Sequence, residues 1–149
     1  MQNQNKVIPV VVFQHDYRDS MRCGNLLIDA GWTEEDIQLA SVPEGIPDSL
    51  KGGDAMECLI LGSFPRTSPV HAGMLEWVTG LRLQYRNLII VSYSQMVLPG
   101  RFDYICRKIH GAGDGFKELV RKLRMGQIKR VGGTTSIVSP EEETLLAEA

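Results

Sequence analysis

Cysteine and histidine are scarce, three of each, and their placement excludes most metal and redox chemistry. Cys23, Cys58 and Cys106 lie far apart with no Cys-X-X-Cys spacing, which argues against a disulfide framework and against a thiolate zinc site. They are expected to be reduced, mostly buried thiols, and a cytoplasmic location is expected with them. His15, His71 and His110 are equally dispersed, without His-X-His or His-X-X-X-His pairs, so no metal or other cofactor is expected. A Gly-X-Ser-X-Gly elbow is missing, which leaves a serine nucleophile without support. Neither sign of charge dominates: the net charge is −2 and the pI about 5.9. No global field therefore recruits nucleic acid or an anionic membrane. Long apolar runs are absent as well. The longest, Val7 to Phe13, is interrupted by Pro9 and is far too short to span a bilayer, and the polar start Met1 to Asn5 is unlike a signal peptide.

What remains has the balance of a soluble globular domain, with 43% hydrophobic and 23% charged residues over 149 positions, enough for one core. Val7 to Phe13 is apolar without alternation and rich in β-branched residues, as expected of a strand covered on both faces. Asp16 and Asp19 stand where they can cap a helix that carries Met21, Leu26 and Leu27 and stops at Gly31. Ile37 to Val42 reads as a second strand. Pro43 to Lys51 reads as a weakly helical connection broken by Pro47, Gly52 and Gly53. Cys58 to Leu61 is a third apolar strand, followed by a loop holding Pro65 and Pro69. Met74, Leu75, Val78, Leu81 and Leu83 to Tyr85 recur at helical spacing, and Leu88 to Val91 is a fourth strand.

Pro99 suits the first turn of a helix, and Phe102, Ile105, Cys106 and Ile109 continue at helical spacing to Gly111. Phe116, Leu119, Val120 and Leu123 mark a last amphipathic helix. The alternation of strands and helices implies a parallel sheet covered on both sides: an α/β, doubly wound three-layer sandwich of four to five strands. Val10, Val12, Leu59, Leu61, Ile89 and Val91 are expected at its buried centre. One domain is expected over residues 1–125. A linker or tail follows over 126–149, with Gly132-Gly133 in a turn-rich stretch and a short helix started by Ser139-Pro140-Glu141.

Several local phrases then resemble the CheY-like receiver domain of response regulators, over about residues 6 to 125. Leu26 to Gly31 resembles the end of a receiver's first helix, and Glu57 to Leu61 with the loop to Pro65 resembles its third strand and acidic-site loop. Leu88 to Ser92 resembles the fourth strand, and Gly113 to Phe116 the approach to the fifth. The tail resembles the linker that follows the receivers of DNA-binding regulators, which implies the amino-terminal part of a transcription regulator.

A receiver's chemistry requires two acids after the first strand to hold Mg²⁺ and an aspartate after the third to accept the phosphoryl group. By position, the acidic pair falls on Gln14 and His15, with Asp16 just beyond, and the acceptor falls on Gly62 or, with a one-residue slip, on Ser63. The hydroxyl that binds phosphoryl oxygen falls among Ser92, Tyr93 and Ser94. The lysine position falls in the Gly111 to Asp114 loop without gaps. With a shortened fourth helix, Asp103 to Lys108 becomes the strand and supplies Arg107 or Lys108. The gapless register is preferred, because Phe102, Ile105 and Ile109 share a helical face. Under both, the acceptor is gone.

The resemblance therefore implies a pseudo-receiver, not an enzyme, that acts in phosphorylation-independent signalling through a protein partner or as a homodimer. It implies no membrane partner and no direct contact with nucleic acid. The face expected to serve is that of the fourth helix, the fifth strand and the last helix, with Arg101, Arg107, Lys108, Lys117 and Lys122. A second reading is a small α/β enzyme or an anion- or nucleotide-binding protein. It would use the Gly111 to Gly115 loop, whose amides open the last helix, or the His15-Asp16 corner at a strand's carboxyl end. The plainer role of Asp16 is to cap the first helix.

Overall fold

Three short apolar runs that need cover on both faces set the architecture. In the computed structural model, which describes residues 8–50, 56–62, 64–95, 98–107, 115–125 and the backbone of Ile137–Val138, they form β1 (Val10–Phe13), β3 (Glu57–Leu61) and β4 (Leu88–Ser94), every residue of them buried. Around them, in chain order, stand α1 (Tyr17–Asp29), a single 3₁₀ turn (Glu34–Asp36), β2 (Ile37–Ala40), α2 (Gly45–Ser49), α3 (Pro69–Ala72), α4 (Met74–Gln84), β5 (Tyr104–Arg107), α5 (Phe116–Arg124) and β6 (Ile137–Val138). All strand pairs are parallel, in the order β2-β1-β3-β4-β5-β6. The first five strands follow the flavodoxin-like doubly wound order, as expected. The two-residue β6 falls within the expected tail and adds a further strand beside β5.

Alternation along each strand divides the core into two layers. Val10, Val12, Cys58, Ile60, Ile89 and Val91 pack under Cys23 and Leu27 of α1 and under Phe116, Val120 and Leu123 of α5. Val11, Phe13, Leu59, Leu61, Leu88 and Ile90 pack against Ile46 of α2 and Met74, Val78 and Leu81 of α4. All six residues expected at the centre are buried, with Leu59 and Leu61 on the face opposite the other four. Asp16 caps α1, its carboxylate accepting from the Arg18 amide at 2.8 Å. The helix ends before Gly31, whose φ of +117° is the left-handed conformation that glycine adopts without strain.

Of the stretch from Pro99 to Ile109, expected as a helix, the described residues 99–107 are instead a loop entering a strand, and 108 and 109 lie outside the described residues. Residues 104–107 form β5, with Tyr93 level with Cys106 and Ser94 level with Arg107. Tyr104 and Cys106 face the α1/α5 layer and Ile105 the α4 layer. A short run apolar on both faces carries the same residue types as one buried turn of helix, so periodicity does not separate the two. The unsatisfied outer edge of β4 decides, since a buried strand must hydrogen-bond on both sides. The register with a shortened fourth helix is therefore the one adopted. The link from β4 to β5 spans only residues 95–103, shorter than the dozen or more of an ordinary parallel crossover. Gly100 bends it at a φ of +140°. A Cβ there would lie 3.2 Å from the Phe102 ring and 3.4 Å from Val78.

Asp103 anchors this link. Its amide donates to the Ile90 carbonyl at 2.8 Å, and its carboxylate accepts from the Ile90 amide at 2.8 Å. The same carboxylate receives both terminal nitrogens of Arg82, at 3.2 and 3.1 Å, and Arg82 also donates to the Arg101 carbonyl at 3.0 Å. The pair is almost wholly buried, and it joins α4, β4 and the start of β5 at one point.

Two stability outcomes follow from this packing. Leu59→Ala should lower the unfolding free energy in urea by about 2–5 kcal/mol, the range of a core truncation. Asp103→Ala should cost about 3–5 kcal/mol, because it leaves a buried guanidinium without its carboxylate. An apolar replacement of both partners, Arg82→Met with Asp103→Leu, should cost clearly less than Asp103→Ala alone.

Candidate functional site

In a doubly wound sheet, ligands bind outside the carboxyl ends of the strands where the strand order reverses, here between β1 and β3. Gln14 leaves β1 at that point and Gly62 leaves β3, with the Gly62 amide donating to the Phe13 carbonyl at 2.9 Å. The Gln14 side chain is buried and lies directly over Gly62. A Cβ on Gly62 would stand 2.1 Å from Gln14 Oε1 and 2.4 Å from its Cδ. The space in which a side chain at Gly62 would begin is thus filled by a neutral amide.

Beside them, among the described residues, stand aromatic rings. The Phe64 ring lies 4.8 Å from Phe13, His15 approaches Phe64 edge-on at 5.2 Å, and Phe13 meets Trp77 edge-on at 5.9 Å. His15 is exposed. Asp16 is committed to the α1 cap, and a capping carboxylate is favoured where it stands by the helix dipole. The corner therefore offers, among the described residues, an amide and ring edges where a hard divalent cation requires several carboxylate oxygens. Among the described residues, no group of three His, Cys, Asp or Glu side chains is placed to hold a metal ion.

The other expected positions are scattered. Ser92 is buried inside β4, level with Leu61 and Ile105, and β4 continues past it to the equally buried Ser94. Arg107 lies on β5 rather than on a helix. It is half-buried and donates to the Gln95 carbonyl at 3.1 Å. Arg101 is exposed in the β4–β5 link. Lys117 and Lys122 ride on α5, Lys117 exposed and Lys122 half-buried. Ser63, Lys108 and the loop from Gly111 to Asp114 lie outside the described residues. The cysteines are free and buried. Burial, with added repulsion from Cys23 and Asp103, pushes the Cys58 thiol well above its ordinary range, which removes it as a nucleophile.

The rings of Phe64 and Trp77 around Phe13 and, elsewhere in the fold, the Arg82–Asp103 pair are not legible in the sequence. A faint signal exists for the pair: each charge stands within an otherwise apolar run, Arg82 after Leu81 and Asp103 between Phe102 and Tyr104.

No family model and no curated protein matches the chain. A solved structure from Burkholderia thailandensis, described as the pilus assembly protein CpaE, is similar to it with a TM-score of 0.50 and 15% identity. The match covers 68% of this chain and 85% of that one. At that identity the likeness is one of fold, the α/β arrangement already seen in the strand order, and it transfers no residue's role.

The contact between Gln14 and Gly62 gives a direct check. Gly62→Ala should destabilise the domain by about 1–3 kcal/mol, as overpacking does. The same substitution in a Gln14→Ala background should cost markedly less, because neighbours that share one space are not additive. Urea denaturation of the four proteins measures both.

Proposed function

We propose that this domain is a signalling module of receiver-like fold that acts by binding a protein partner and carries out no phosphoryl chemistry itself. One observation carries the reading: the Gln14 amide occupies the space above Gly62 in which a receiver's acceptor side chain would stand. In a receiver, Mg²⁺ offsets the negative charge of the incoming phosphoryl group, and the cation in turn needs carboxylate oxygens to hold it. Gln14 supplies none, Phe64 and His15 close the corner with rings, and Asp16 is held in a helix cap. A site emptied of catalytic groups while its scaffold is retained fits a domain used for its surfaces. The near-neutral charge of the chain favours a protein partner over nucleic acid or an anionic membrane.

The test is a beryllofluoride titration with Mg²⁺, followed by amide chemical shifts. No saturable shift is expected at residues 14–16 or 62–64. Saturable shifts centred there would overturn the reading.

A further inference from the structure

We draw no further inference here: the strongest candidate, the apolar groove between α2 and α4 bordered by Val42, Pro47, Val70, Trp77 and Leu81, carries none, because nothing in the structure shows what covers it.

Discussion

Strands that are apolar on both sides have to be sandwiched, and most of this molecule is arranged by that need. β1, β3 and β4 expose almost nothing, so a layer of helices must lie on each face. The α1/α5 layer and the α2/α4 layer do this, each taking alternate residues of the same strands. At roughly 25 cal/mol per Å² of apolar surface, covering both faces of three central strands is the dominant favourable contribution to folding. The same requirement fixes which edges remain open. β2, with its half-exposed pattern, is tolerated only because it stands at the margin.

The departure from a plain alternating fold lies between β4 and β5. The link is too short for a covering helix, and Leu98 and Phe102 take that helix's place over the α4 layer. A link of this kind leaves backbone groups of β4 exposed to an apolar interior, and Asp103 satisfies them. It serves Ile90 with both its amide and its carboxylate and is neutralised by Arg82. An isolated buried carboxylate would be strongly unfavourable, and the bidentate arginine makes it tolerable. The clamp thus couples α4 to the far half of the sheet at the place where a crossover helix would otherwise do so.

The corner at the carboxyl ends of β1 and β3 follows the same logic. Phe13 ends β1 pointing into the α4 layer, and Phe64 and Trp77 gather around it. Gln14 can bury its side chain there because Gly62 has none, and a side chain at Gly62 would require the end of Gln14 to shift. The two residues share one space at this corner.

The sequence alone determined the strands that are buried on both faces, the cap at Asp16 and the end of α1 at Gly31, because strand burial, capping and left-handed glycine are local signals. It also showed that no carboxylate stands at Gly62 or at Gln14 and His15, since identity at a position needs no coordinates. It misassigned residues 99–107, where a two-sided strand and a helical turn use the same apolar residues. Only tertiary structure decided that stretch, through the open hydrogen-bonding edge of β4. It alone brought Arg82 to Asp103 across twenty-one positions, and laid Gln14 over Gly62. Contacts between residues distant in the chain depend on which elements become neighbours, and that is settled by packing the whole sheet rather than by any one segment of it.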